Sequence, residues 1–294
     1  MRTTSLIDEL AAAGPVLTDG AWGTELQARG LPGGTIGDLW NLSHPDRVEA
    51  VARAYVDAGS RIILTNTFRA NTIALAGHLQ PSQIKELNRA GVAISQRAAR
   101  GAALVFASIG PSGKMLIKRE VTESALAAAF AEQAQTLAEA GADGLVVETM
   151  VDLVEARIAV QAAAATGLPV VACMVFDSGK QRDRTLFGVT PQAAAEELTR
   201  AGAQVIGLNC GIGIEHSVPI CEALAAATTR PIWIKPNAGL PEFAGGQVVY
   251  RTDANTFAGY LPRLIAAGAK FVGGCCGTTP AFIAALRAQL AAHG

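Results

Sequence analysis

Residues 144–176 read GLVVETMVDLVEARIAVQAAAATGLPVVACMVF. The segment opens on an apolar run (144–150), passes into an alanine-rich stretch with helical periodicity (152–167), and turns at Gly167 into a second apolar run (169–176). Near-continuous Val, Ile and Leu runs are the pattern of strands buried on both faces. A helix between two such strands makes a parallel βαβ unit.

The same unit repeats outward in both directions. Apolar runs stand at 15–20 (PVLTDG), 61–68 (RIILTNTF), 103–111 (ALVFASIGP), 205–210 (VIGLNC), 231–239 (PIWIKPNAG) and 270–276 (KFVGGCC). Helical patterns fill the intervals at 45–59, 81–101, 122–141, 190–202 and 253–268, and TPAFIAALRAQLAA follows the eighth run. Several begin on a Thr, Asp or Pro start signal and end at Gly. An Ala-Gly-Ala/Ser turn recurs at 58–60, 140–142, 201–203 and 267–269. Eight strands alternating with helices predict a single (β/α)8 TIM barrel over 1–294, with a doubly wound open sheet as the competitor. The long connections at 20–44 and 66–80 are expected to lie over one mouth of the barrel.

Composition narrows the function. The chain has 294 residues, half of them hydrophobic and 17% charged, which excludes a disordered or fibrous protein. Lys+Arg 24 against Asp+Glu 25 leaves a net charge of -1, without the basic footprint of a nucleic-acid binder. No apolar run approaches the roughly 18–20 residues that span a bilayer. Asp8 and Glu9 fall where a secretory leader would be apolar. The expectation is a cytoplasmic protein without nucleic-acid or membrane partners, whose five cysteines are not paired in disulfides.

In a barrel of this kind chemistry lies at the C-terminal ends of the strands. Those ends carry Asp19-Gly20, Thr65-Asn66, Ser108, Glu148-Thr149, Asp177, Asn209-Cys210, Lys235-Asn237 and Cys275-Cys276. Strands six and eight are second neighbours in a closed barrel, so Cys210, Cys275 and Cys276 are placed to converge. Three soft thiolates suit zinc, and with no C-x-x-C pair and no His beside them a fourth place stays open, as in catalytic sites. Cys173, inside a strand, and Cys221, on a helix, read as core thiols. His44, His78, His216 and His293 read as surface residues. A thiol entering the open place of a zinc ion is deprotonated, ready for alkylation. Glu148 and Asp19 could hold an ammonium group, and the amides of Gly20, Ala21 and Gly23 a carboxylate. An amino-acid thiol would use all three features. The plainer alternatives are a turn cap for Asp19 and an internal ion pair between Glu148 and Lys235.

At these residues the chain resembles the homocysteine S-methyltransferase family. The matching pieces are DGAWGTELQARG (19–30), LTNTFRAN (64–71), ASIGPSG (107–113), VVETMVDLVEA (146–156), GVTPQ (188–192), GLNCG (207–211), KPNAGLP (235–241) and GGCCGTTPAFI (273–283). Their wording is nearest the homocysteine-binding domain of cobalamin-dependent methionine synthase. The resemblance implies a (β/α)8 barrel and Zn²⁺ on Cys210, Cys275 and Cys276, with homocysteine sulfur as fourth ligand. It implies that Glu148 and Asp19 bind the amino group of L-homocysteine and that amides near Gly20 and Ala21 bind its carboxylate. Asn237 would guard the open metal position, and Thr65, Asn66 and Ser108 would line the pocket. Thr149 stands where the betaine-dependent relatives carry an aromatic residue, and aromatics are 5% of the chain, so betaine is disfavoured as donor. A separate methyl-corrinoid protein or a small sulfonium (S-methylmethionine or S-adenosylmethionine) remains. The competing readings are a different thiol or selenol acceptor, or a non-catalytic zinc- or thiol-binding partner of a corrinoid protein.

Overall fold

The structure, a computed structural model, describes residues 5–244 and 247–293. Eight strands form the barrel: β1 (Val16–Leu17), β2 (Ile62–Leu64), β3 (Leu104–Ile109), β4 (Gly144–Met150), β5 (Val170–Met174), β6 (Val205–Cys210), β7 (Ile232–Pro236) and β8 (Ala269–Val272). They pair in parallel in the order β1-β8-β7-β6-β5-β4-β3-β2, and a bridge between Thr18 and Ile62 brings the ends of that order together. This is the (β/α)8 barrel, and the open-sheet alternative falls. Among the described residues no helix is long and apolar enough to cross a membrane.

Local chemistry explains the elements. Thr122, Asp152 and Thr190 accept hydrogen bonds from backbone N–H groups of the helices they start, satisfying donors that have no partner within the helix. Gly59 and Gly202 stop their helices in the left-handed region, at φ of 110° and 113°, where a Cβ would be strained. The helical pattern at 253–268 is two helices, Ala254–Gly259 and Leu261–Ala266, rather than one. Pro262 has no N–H to offer the preceding turn, and its ring crowds the carbonyl four residues back. The 20–44 connection holds three short helical pieces, Gly23–Ala28, Gly37–Leu39 and Trp40–Ser43. A hairpin of Glu242–Ala244 with Gln247–Val249 follows β7 and has no counterpart in the sequence reading.

The core is layered. Outward-facing side chains such as Val105, Leu145, Val147, Ile234 and Val272 pack under the helices. Inward-facing ones, including Val16, Ile62, Phe106, Val146, Val171, Val205, Trp233 and Phe271, fill the barrel, and Ile7 and Leu10 of helix Leu6–Ala12 join that cluster. Cys173 belongs to this inner filling, and Cys221 is buried in the outer layer with its thiol facing the Ala267 carbonyl at 3.5 Å. His44 and His78 are exposed and His216 is half-buried, while the side chain of His293 lies outside the described residues.

Candidate active site

Strand side chains alternate between faces with a period of two. The positions two residues beyond Phe106, Val146 and Trp233 are therefore Ser108, Glu148 and Lys235. The inner face that is apolar halfway up the barrel becomes polar and charged at its C-terminal mouth. There it opens into a cavity of about 380 Å³, within the range of small-molecule sites. Gly20, Ala21, Thr65, Asn66, Ser108, Glu148, Cys210, Cys275 and Cys276 all line it, whereas Asp19 and Asn237 do not.

The three thiols converge. Cys210 Sγ stands 3.0 Å from Cys275 Sγ and 4.0 Å from Cys276 Sγ, and all three lie within 4.8 Å of one another. Cys210 ends β6 with φ of 60°, a left-handed conformation uncommon for a residue with a side chain, and Gly211 continues it at 78°. The loop after β8 is pinned by backbone bonds from Cys275 N–H to the Pro236 carbonyl and from Ala238 N–H to the Cys276 carbonyl. Close contact there requires glycine, since a Cβ on Gly273 would meet Thr18 Oγ1 at 2.0 Å and the Asp19 carbonyl at 2.5 Å. The thiols titrate unequally. Hydrogen bonds from Cys210 and Cys275, with help from Tyr250, pull Cys276 down to about 3, whereas hydrogen bonding to Cys275 and Cys276 together with burial pushes Cys210 far up. Cys276 thus ionises most readily of the three, and Cys210 keeps its proton.

Asp19 and Glu148 have different surroundings. Asp19 is fully buried and has three partners: it pairs with Lys235 through Oδ1 and accepts the Trp22 indole N–H at 2.8 Å and the Leu64 N–H at 2.7 Å on Oδ2. The ion pair that the sequence offered as the alternative for Glu148 goes to Asp19 instead. Glu148 accepts from Ser108 Oγ at 2.5 Å and faces Asn209 Nδ2 at 3.5 Å. Burial raises it to about 7, against the attraction of Lys235. The Ala21 N–H points at the Thr278 carbonyl and Oγ1, at 3.3 and 3.2 Å.

Other expected residues brace the walls. Thr65 Oγ1 accepts the Ser108 N–H and bonds Thr67 Oγ1, and Asn66 Nδ2 donates to the Gly37 carbonyl and to Asn41 Oδ1. Asn237 Nδ2 donates to the Gly211 carbonyl, while its Oδ1 is buried with no hydrogen-bond partner. Sequence reasoning put Asn209 on the rim without a role, although its amide ties Thr149 to Glu148, and missed two contributors: Thr278, whose hydroxyl donates to the Cys275 carbonyl, and Asp38, buried in the cavity wall. An Asn inside the apolar GLNC run was a visible signal. Nothing in the sequence marked Asp38, because its approach to the mouth depends on how the 20–44 connection folds.

The homocysteine S-methyltransferase family model matches residues 16–290. The chain is 31% identical over 98% of its length to the methionine synthase of Mycobacterium tuberculosis, and 30% identical over 98% to that of Mycobacterium leprae. It spans about a quarter of the length of these curated relatives, 25% of each. Among solved structures it is similar to the metallated form of the homocysteine methyltransferase MmuM from Escherichia coli, with 27% identity, a TM-score of 0.79, and coverage of 94% of this chain and 96% of that one. Barrel, thiol cluster and matched sequence agree: the chain belongs to the homocysteine S-methyltransferase family.

Proposed function

We propose that the protein is a zinc-dependent S-methyltransferase that moves a methyl group from an external donor to the thiol of L-homocysteine, giving methionine. The observation that carries this reading is the convergence of Cys210, Cys275 and Cys276 within 4.8 Å on the wall of a cavity that also presents Glu148. The donor set fits the metal: three soft thiols, no fourth His, Cys or carboxylate in the group among the described residues, and the orphaned Oδ1 of Asn237 nearby in the chain fold. When bound there, zinc would hold an entering thiol in its thiolate form.

The chain's own residues then position the acceptor. Glu148, oriented by Ser108 and Asn209, would take the amino group when ionised. The acceptor sulfur forms a bond to the methyl carbon as the donor–carbon bond breaks, and that electron pair leaves with the donor. Apolar side chains of Leu26, Leu31, Ile36 and Phe68 line the cavity together with the Asp38 carboxyl, which burial raises to about 6. Arg69 stands beside Asp38 on the same wall and brings the opposite charge, so the lining suits either donor class, a small sulfonium such as S-methylmethionine or S-adenosylmethionine or a methyl-corrinoid protein.

The test is zinc K-edge X-ray absorption with and without L-homocysteine, paired with methionine formation from each donor class. A sulfur shell rising from three to four, with turnover, supports the reading. An unchanged shell with no methionine from any donor refutes it.

A further inference from the structure

Cys276 has a partner that the other two thiols lack. Tyr250 directly follows the second strand of the hairpin, Gln247–Val249. Its side chain is half-buried, packs against the outer layer of the core and hydrogen-bonds Cys276. A phenol keeps its proton at neutral pH, so the hydroxyl is the donor and the sulfur the acceptor. The ring lies on the thiol loop itself. A Cβ on Gly277 would meet Tyr250 Cγ at 2.2 Å and the two Cδ atoms at 2.5 and 2.6 Å. Gly277 also has φ of 81°, so both the backbone and the ring call for glycine there. Backbone bonds hold the two segments together: Thr252 N–H donates to the Ala238 carbonyl at 3.2 Å, and Ala238 N–H to the Cys276 carbonyl at 2.9 Å. All three cysteines line the cavity and Tyr250 does not. Its hydroxyl therefore reaches the sulfur from outside the cavity wall, away from any bound acceptor.

We propose that Tyr250 is a positioning residue that acts through Cys276: its hydroxyl donates to the sulfur and draws charge from it, while its ring holds the Cys276-Gly277 turn in place. The inference rests on the zinc reading above. A cysteine sulfur that shares its charge with an O–H donor gives less of it to a metal, and outer partners of this kind tune metal centres and their affinity. More positive charge is then left to hold an entering thiol as thiolate. Removing the hydroxyl alone separates the two tasks, since Phe retains the ring over Gly277.

The experiment loads the full chain with Co²⁺ in place of zinc and reads the sulfur-to-metal charge-transfer band, whose energy falls when a thiolate loses a hydrogen bond. Tyr250→Phe is expected to move that band to longer wavelength. Zinc affinity, measured by competition with a chelator, should fall by ~10–100-fold, the usual loss for an outer-shell partner. A role confined to packing predicts the wild-type band, because Phe covers Gly277 as Tyr does. An unmoved band overturns the proposal, even if metal binding weakens. A second arm needs no variant to fold: 3-fluorotyrosine in place of tyrosine throughout the wild-type chain makes the phenol a stronger donor. The band should then move to shorter wavelength, and Tyr250→Phe should abolish that shift. A fluorinated chain with an unmoved band overturns the proposal and leaves the zinc reading intact. A wild-type chain that binds neither Co²⁺ nor zinc overturns both.

Discussion

Cys210 Sγ lies 3.0 Å from Cys275 Sγ although 65 residues separate the two in the chain. β6 and β8 flank β7, so the contact exists only once three parallel strands have found their register. It is a property of the closed barrel and not of either loop. Cys275→Ser should therefore lose metal without losing the fold. Loss of an outer-shell partner already costs ~10–100-fold in metal affinity, and loss of a ligand should cost more. Zinc content by mass spectrometry after gel filtration, with circular dichroism as the folding control, checks this. Stoichiometric zinc and full turnover in the variant would remove the three-thiol site from consideration.

Acidity should act on the same site. Cys276 ionises most readily, whereas Cys210 keeps its proton because its neighbours hold it through hydrogen bonds. Binding a divalent ion to all three thiols must release the remaining protons, so affinity should rise with pH. Each proton released adds about tenfold per pH unit. A competition against a chelator of known pH dependence between about pH 6 and 8 measures the slope, and a flat profile would contradict thiolate ligation.

Glu148 gives a second pH dependence with its own sign. Its folded value of about 7 lies above the ordinary 4.5 because burial disfavours the carboxylate. The folded state thus binds the proton more tightly than the unfolded chain. The resulting stabilisation is fully present below 4.5 and is lost as pH rises through about 7. Unfolding free energy should fall across that window in the wild type, and the fall should be smaller in Glu148→Gln. Substrate binding runs the other way, since an ammonium needs the ionised form. The KM for L-homocysteine should drop as pH rises through about 7 and flatten in Glu148→Gln. A wild-type KM that does not change there would take Glu148 out of the amino-group role.

The barrel was legible because each strand, buried on both faces, announces itself as an apolar run, and each Ala-Gly turn marks where a helix ends. The cluster of Cys210, Cys275 and Cys276 was legible for a related reason: residues at the C-terminal ends of strands in one barrel share a rim. What the sequence does not carry is the partner of each charge. Lys235 pairs with Asp19 and not Glu148, and the choice depends on the shear of the barrel and on the Trp22 indole closing over Asp19. The break at Tyr260 was readable from Pro262, but the pattern of apolar residues on either side is continuous and hides it. The Ala21 N–H was expected to be open. Thr278, from the far end of the chain, claims it, and a contact between such distant segments leaves no local signal.

Asn209 is the residue that links the Glu148 carboxyl to the thiol cluster. Its Oδ1 accepts the Thr149 N–H at 2.7 Å, and its Nδ2 donates to Thr149 Oγ1 at 2.7 Å and faces Glu148 Oε2 at 3.5 Å. Thr149 sits at φ of 62°, a conformation that costs a β-branched residue ~1–2 kcal/mol, and two bonds from one amide hold it there. Asn209→Ala leaves a part-buried N–H without its acceptor, at ~1–3 kcal/mol, and frees Glu148 on one side. The KM for L-homocysteine should rise by ~10–100-fold, and zinc affinity should fall too, because Nδ2 also donates to Cys275 Sγ at 3.8 Å. Adding Thr149→Gly removes the backbone strain, since glycine adopts positive φ freely, and should recover part of the stability without restoring KM. Steady-state kinetics and thermal unfolding of the two variants decide the point. If Asn209→Ala lowers stability but leaves KM at the wild-type value, Asn209 braces β4 against β6 and has no part in orienting Glu148.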